Sequence, residues 1–423
     1  MKIAVLGGGI TGLACAHYLQ KAGYQPIVLE ATGRFGALGQ RQLHAGIEFD
    51  CFHTPLSQGD TALLGLMGDL GLHSRALWRP IENAVSKDGN TYPLSSARSL
   101  LRFEALPLGK RAHAAAVTLG AQRVHRYDLR LDREPACEWL VATYGEQTYE
   151  SLWRPMLMAQ FGADTPQIPA YLAWRFINHF MSGQHAVRGY IDGGFQLLGH
   201  TLAQKIRAGG GEVRIDEPVL GIECEPHRVV LELGGRTETF DAAISTLAPP
   251  ELAKFAQGQI LAELPYCEES YLGLISVAVV GGVPRQQHYR TICLDETNTF
   301  PTVIDTSHLD GERTFYLEQR CGSHTPAYRL GDDVIEKQAI ETLRRVSPSF
   351  DARTVEGIYI SRAPNVEPIW SVGSLATKAP VRVGDLPVFF CNTAQAYPRA
   401  PGSDTSVMLA REAVACLRRE LLH

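Results

Sequence analysis

The feature that most constrains this chain is its first 36 residues, where an apolar run Ile3-Ala4-Val5-Leu6 meets Gly7-Gly8-Gly9-Ile10-Thr11-Gly12 and a second apolar run Ile27-Val28-Leu29 ends on Glu30. A strand, a glycine turn, a helix and a second strand fill about 30 residues, the length of a β-α-β unit built to hold a dinucleotide. Gly7 makes the tight turn, Gly9 lets the backbone approach a pyrophosphate, and Gly12 lets the helix pack closely on the strand. The N–H groups of the first turn, around Ile10 and Thr11, and the positive end of the helix dipole then face the phosphates. Leu13, Ala14, Ala16, Leu19 and Ala22 follow helical spacing, and Gly23 sits where the helix should stop. At the end of the second strand, the Glu30 carboxylate can accept hydrogen bonds from both hydroxyls of an adenosine ribose. It would repel a 2′-phosphate, which disfavours NADP.

The continuation separates FAD from NAD. Glu30-Ala31-Thr32-Gly33-Arg34-Phe35-Gly36-Ala37 resembles the E-x-x-x-R-x-G-G extension of the FAD-dependent amine oxidase and protoporphyrinogen oxidase superfamily, which also contains the carotenoid desaturases. The resemblance implies FAD, with Glu30 at the ribose, Ala31 among the cofactor contacts, and Arg34 and Gly36 along the diphosphate and ribityl chain. This sequence departs at Ala37, where the family's second glycine is expected; a Cβ there restricts backbone conformations with positive φ.

Composition agrees with a large enzyme. With 423 residues and 45% hydrophobic content there is material for two or three domains, and a net charge of −5 offers no bulk attraction to nucleic acid. Met1-Lys2 runs directly into the first strand, and no apolar stretch reaches the ~20 residues of a membrane span, so a cytoplasmic location is expected. The nine cysteines are scattered without a C-x-x-C pair, which predicts reduced thiols and neither a disulfide framework nor a metal site.

The predicted fold class is α/β: a Rossmann-type FAD-binding domain assembled from discontinuous segments, 1–80, 189–254 and 366–423. The substrate domain of mixed β-sheet and helices comes from a mainly helical insertion, 81–188, and a β-rich segment, 255–365. Ile47 to Asp50 followed by Cys51-Phe52-His53-Thr54-Pro55 resembles the strand and turn that return the chain past the flavin. His53 is then either beside the isoalloxazine or a histidine packed at a strand end. Gly193-Gly194-Phe195-Gln196 resembles a family turn opening a helix, which leads to the strand pair Glu212–Ile215 and Val219–Cys224, with Val219 as a backbone contact to adenine.

In the third piece a strand ends at Asn392. Where many family members carry Gly-Asp, this chain has Asn392-Thr393-Ala394-Gln395, and Asn392 to Pro398 resembles the N-x-x-Q-x-Y-P pattern of a protoporphyrinogen-oxidase-like subfamily. A helix is predicted from Thr405, with Ser403, Asp404 or Thr405 as its cap. Asn392, Thr405 and Ser406 would lie by the flavin, and the N–H groups at that helix end would stabilise negative charge on its pyrimidine edge.

A flavin supplies its own redox chemistry, so no nucleophile triad or metal is required. The expected activity is oxidation or dehydrogenation of a C–H or C–N bond of a small hydrophobic substrate by hydride transfer to flavin N5, with oxygen or another molecule as final electron acceptor. The alternative is a redox-neutral flavoenzyme resembling UDP-galactopyranose mutase, which needs arginines converging on a diphosphate; Arg320 and Arg362 are the candidates. Substrate-side residues under either reading are His53, Tyr397, Arg320 and Arg362. Between Ser96 and Arg130, the basic residues Arg98, Arg102, Lys110, Arg111, Arg123, Arg126 and Arg130 alternate with Leu100, Leu101, Phe103 and Leu106. Such a stretch is either a solvated helix face or a site of peripheral membrane contact.

Overall fold

The computed structural model describes residues 1–421 except 45, 125–128, 163–166, 182–186, 226, 265–270, 282–285, 310–313 and 348; Arg126 and Cys267 lie outside the described residues. Lys2–Leu6 is the middle strand of a five-stranded parallel sheet, in the order Val388–Phe390, Ala242–Ser245, Lys2–Leu6, Gln25–Leu29, Glu212–Arg214. Both faces are covered, which is why its strands read as continuous apolar runs. On one face Ile3, Val5 and Val28 pack with the helices Ile10–Lys21, Gly194–Ala208 and Ser403–Leu421. On the other, Ala4, Leu6, Ile27 and Leu29 pack under an antiparallel sheet of Val219–Glu225, Arg228–Leu233 and Arg236–Phe240.

The strand pair expected at 212–224 is two strands in different sheets. Glu212–Arg214 lies beside Gln25–Leu29, whereas Val219–Glu225 pairs with Arg228–Leu233. The break falls at Asp216, φ +53°, where the chain turns so that the Asp216 N–H donates to Thr32 O and the Glu217 N–H to Glu30 O.

A second, seven-stranded mixed sheet runs in the order Val355–Pro368, Tyr271–Gly281, Thr314–Cys321, Thr302–Asp305, Arg290–Cys293, Asn83–Lys87, Asn90–Pro93. The last two strands come from the segment read as mainly helical. Each is short, and Asn83–Lys87 is placed by pairing with Arg290–Cys293, a partner far away in sequence. On the outer face Ile275, Val277, Val279, Phe315 and Leu317 pack against the helix Asp332–Val346, whose apolar residues Ile335, Ala339, Leu343 and Val346 fall at helical spacing.

The helical insertion packs Leu108–Val124, Ala136–Tyr144, Arg154–Phe161 and Ala170–Met181 around Trp153, Leu157, Trp370 and Tyr397. The helix Arg154–Phe161 is preceded by a π-helical turn, Tyr149–Trp153. Within the basic stretch Leu100, Phe103 and Leu106 are buried in this core and Leu101 is exposed, so most of the apolar residues behind the membrane-surface reading are core residues. No helix among the described residues is long and apolar enough to cross a membrane.

Candidate active site

The glycine turn has the geometry of a phosphate cradle. Gly7 holds φ +103° and donates its N–H to Leu29 O at 2.9 Å, and a Cβ on Gly12 would lie 1.9 Å from Gly7 O. Strand and helix therefore touch backbone to backbone. The helix begins after Gly9 with no side chain capping it, so Ile10, Thr11 and Gly12 sit at an N-terminus without a side-chain acceptor of their own. Glu30 is fixed at the strand end: its Oε2 accepts from the Gly8 N–H at 2.7 Å, and its Oε1 from the Thr32 N–H at 2.9 Å. Val219 opens its strand two residues beyond the Glu217 to Glu30 contact. A cradle closed to any Cβ, uncapped helix donors and a carboxylate at the second strand fit the adenosine diphosphate half of FAD.

The next turn carries the physical cost expected at Ala37. Gly36 adopts φ +108° and donates to Gly8 O at 2.8 Å, and Ala37 follows at φ +48°, the left-handed region that costs a non-glycine residue roughly 1–2 kcal/mol. Ala37→Gly is expected to raise stability by about 1 kcal/mol and to tighten FAD, measured by thermal melting and by flavin fluorescence titration. Ala31 and Arg34 are exposed at this rim.

In the loop after Val388–Phe390, Asn392 and Gln395 form a reciprocal cap. Asn392 Oδ1 accepts from the Ala394 N–H at 3.0 Å, Gln395 Oε1 accepts from the Asn392 N–H at 3.0 Å, and Gln395 Nε2 donates to Pro380 O at 2.8 Å. The N-x-x-Q part of the sequence pattern thus builds the loop itself. The final helix begins at Ser403, so Ser403, Asp404 and Thr405 lie inside its first turn rather than ahead of it. Asp404 instead accepts from the Ala62 and Leu63 N–H groups at 2.8 and 2.9 Å, capping the neighbouring helix Thr61–Asp69. Thr405 Oγ1 donates to Ala400 O, and the Ser406 N–H to Gly402 O.

The inner face of the seven-stranded sheet and the helix Ala170–Met181 meet these loops and the segment Asp50–His53. Tyr316 Oη donates to Asp50 O at 2.8 Å, His53 Nε2 lies 2.7 Å from Tyr289 Oη, and Arg175 Nη1 donates to Pro398 O. His53 also packs against the Tyr316 ring. Burial, then the nearby Arg290, push its pKa down to about 3, so the imidazole is neutral at physiological pH. Tyr397 is 1% exposed, packs on Tyr171 and Trp370, and donates its hydroxyl to Asp132; burial first, then that hydrogen bond, push its pKa up.

Arg320 and Arg362 do not converge. Arg320 faces Leu274 across the ladder and Arg362 faces Ile275, and adjacent residues of one strand point to opposite sides of a sheet. Arg320 sits on the inner face, 3.4 Å from Glu318 and 3.8 Å from Glu367. Arg362 pairs with Asp332 of the outer helix at 2.6 Å. Sequence reasoning missed Arg175, Arg188, Arg290, Glu367 and Asp132, which gather here; only strand alternation around Arg290 and Arg320 hinted at a shared face.

His53 gives a pH signature. Its folded pKa lies below the unfolded value of 6.5, so its contribution is present above 6.5 and is lost as pH falls towards 3. Between pH 6.5 and 5 the loss is about 2 kcal/mol. Asp50 and Asp60, both raised to about 6 mainly by burial, act oppositely: their contribution is present at low pH and is lost as pH rises through about 6. His53→Phe is therefore expected to lose less melting temperature than wild type between pH 7.5 and 5, whatever its starting stability. Equal losses would mean that His53 is protonated in the fold.

A family model described as flavin containing amine oxidoreductase matches residues 10–276. The 15-cis-phytoene desaturase of Synechococcus elongatus is 25% identical over 240 residues, covering 52% of this chain and 50% of the relative; the chain thus spans about half the length of that curated relative. Among solved structures, a protein of Exiguobacterium sp. 255-15 provisionally named a protoporphyrinogen oxidase superposes with a TM-score of 0.81 at 17% identity, covering 100% of this chain and 99% of the other. A reduced UDP-galactopyranose mutase superposes with a TM-score of 0.76 at 15% identity, covering 99% and 95%. At such identities the two superpositions speak for the fold.

Proposed function

The chain belongs to the flavin containing amine oxidoreductase family, an FAD-dependent oxidoreductase family, and from that premise we propose that it oxidises or dehydrogenates a C–H or C–N bond in a small substrate with an apolar body. The observation that carries this reading is the meeting of the loop 50–56 with the inner sheet face through Tyr316 and with Tyr289 ahead of the strand Arg290–Cys293, and of the loop 393–398 with the helix Ala170–Met181 through Arg175. When bound, FAD supplies the hydride acceptor. The chain's own residues supply enclosure and positioning. Tyr397, Trp370 and Tyr171 form an aromatic wall that keeps water out, and an apolar crevice beside it is lined by Phe161, Leu172, Leu272 and Pro368. Arg320, held between Glu318 and Glu367, fixes the floor. His53, kept neutral, adds no charge beside Tyr289.

The test is an anaerobic absorption spectrum of the FAD-loaded protein before and after addition of amine, polyene and porphyrinogen substrates. Bleaching of the oxidised flavin by one of them is the expected result. Turnover of a nucleotide sugar by dithionite-reduced enzyme alone, with no bleaching by any reductant substrate, would favour the mutase reading, against which the opposed directions of Arg320 and Arg362 already weigh.

A further inference from the structure

The inner sheet face carries two arginines, Arg290 and Arg320, and two carboxylates, Glu318 and Glu367, and both carboxylates lie in ion-pair range of Arg320. Across the ladder Arg290 faces Ile304 and Asn83, Tyr316 faces Ile304 and Ala278, Glu318 faces Thr302 and Ser276, and Arg320 faces Leu274, so all these side chains share one side. Glu318 and Glu367 are engaged with Arg320. Arg290 has no carboxylate in salt-bridge range among the described residues. Its Nε is shut off from solvent without a hydrogen bond, and its Nη2 has only a long contact, 3.5 Å, to Gln160 Oε1. On the same face Ser276 Oγ, Thr302 Oγ1 and Asn83 Oδ1 are also buried without a partner. Asn83 is directly opposite Arg290, and Thr302 lies diagonal to it on the adjacent strand.

Buried polar atoms normally find partners, and an unpaired buried guanidinium is among the costliest groups to leave alone. One orphan is a local accident; four on one sheet face, beside the segment Asp50–His53, describe a surface finished by something else. A hydroxyl donor at Thr302, diagonal to the guanidinium, is complementary to an oxyanion held beside it. Burial draws the pKa of Arg290 downward, yet arginine stays charged, so the required partner is an anion.

We propose that Arg290, with Thr302 diagonal to it on the adjacent strand, receives a carboxylate or phosphate group of the substrate, so that this enzyme acts on an oxyanion-bearing molecule whose apolar body lies along the aromatic wall of Tyr397 and Trp370. The proposal rests on the oxidoreductase reading above and narrows its substrate class. It also separates this site from one built for a simple cationic amine, which Arg290 would repel.

The experiment uses the FAD-loaded protein and matched aromatic probes: 3-phenylpropionate, phenyl phosphate and 2-phenylethylamine, with UDP as a nucleotide probe. Affinity is read by calorimetry and by the flavin difference spectrum. The expected result is that at least one oxyanion probe binds about tenfold tighter than the amine. Arg290→Gln should remove that preference with FAD content unchanged, and Arg290→Lys should restore part of it. Phenylpropionate, phenyl phosphate and UDP distinguish a carboxylate, a simple phosphate and a nucleotide as the source of the oxyanion. The proposal is overturned if the amine binds as tightly as the oxyanions. It is equally overturned if Arg290→Gln leaves probe affinity intact while shifting the flavin reduction potential, since the guanidinium then serves the cofactor. Should Arg290→Gln fail to fold, Thr302→Val carries the same expectation with a smaller loss. A protein that holds no FAD would sink the oxidoreductase reading, while the calorimetric preference would still decide the role of Arg290.

Discussion

The Gly12→Ala protein is expected to purify without flavin colour. The added Cβ would stand 1.9 Å from Gly7 O, well inside contact distance, and the atom it meets is backbone rather than the tip of a flexible side chain. Relief requires the helix Ile10–Lys21 to lift from the strand Lys2–Leu6 or the Gly7 turn to open, and either moves the N–H groups that would face the phosphates. Overpacking typically costs about 1–3 kcal/mol. Because the clash falls on the phosphate turn itself, the upper end is expected to appear in cofactor affinity, about a hundredfold weaker. The flavin to protein absorbance ratio after gel filtration checks this, with Gly65→Ala as control. Gly65 lies in the helix Thr61–Asp69, where an added Cβ would meet nothing within 4 Å, so alanine there should leave the colour intact and the helix slightly more stable. Full flavin occupancy in Gly12→Ala would show that the cradle lies elsewhere.

Asp132→Ala is expected to cost the most stability of any single change near the substrate side, about 3–4 kcal/mol, through the loss of a buried hydrogen-bonded carboxylate. Asp132 is 4% exposed. Its Oδ1 accepts from Tyr397 Oη and its Oδ2 from the Leu375 N–H at 3.3 Å, while its backbone oxygen accepts from the Gly373 N–H at 2.8 Å. Alanine leaves the Tyr397 hydroxyl without its acceptor inside an apolar core and frees the ring from one of its fixed points. Chemical denaturation should show the lower midpoint. Tyr397→Phe, which leaves the carboxylate short of a donor, should destabilise by a smaller amount. If Asp132→Ala unfolds at the wild-type midpoint, the Tyr397 wall is held by ring packing alone.

How much of this was legible in the chain depends on the range of the interaction. The cradle was readable because Gly7, Gly9, Gly12 and Glu30 belong to one β-α-β unit whose turn, helix and strand are dictated by neighbours in sequence. The penalty at Ala37 was readable for the same reason: a Cβ restricts φ wherever the fold goes. The cap of the final helix was misread because Asp404 serves the helix Thr61–Asp69, more than 300 residues away in sequence, and no local pattern says which helix an aspartate will cap. The hairpin of strands 83–87 and 90–93 was missed because it is short and joins the sheet only through the pairing of 83–87 with Arg290–Cys293, a partner distant in sequence.

The opposed arginines show the same boundary from the other side. Arg320 and Arg362 lie on different strands, and whether two such residues face each other depends on the register each strand takes with Tyr271–Gly281; a slip of one residue would exchange their faces. Sequence by itself determined the cofactor, since dinucleotide recognition is written in backbone freedom and strand-end charge over a short contiguous stretch. Tertiary structure alone decided which side chains come together away from the cradle, because strand register puts Arg290, Glu318 and Arg320 on one sheet face and helix packing brings Asp132 to Tyr397, from segments whose local sequences carry no record of one another.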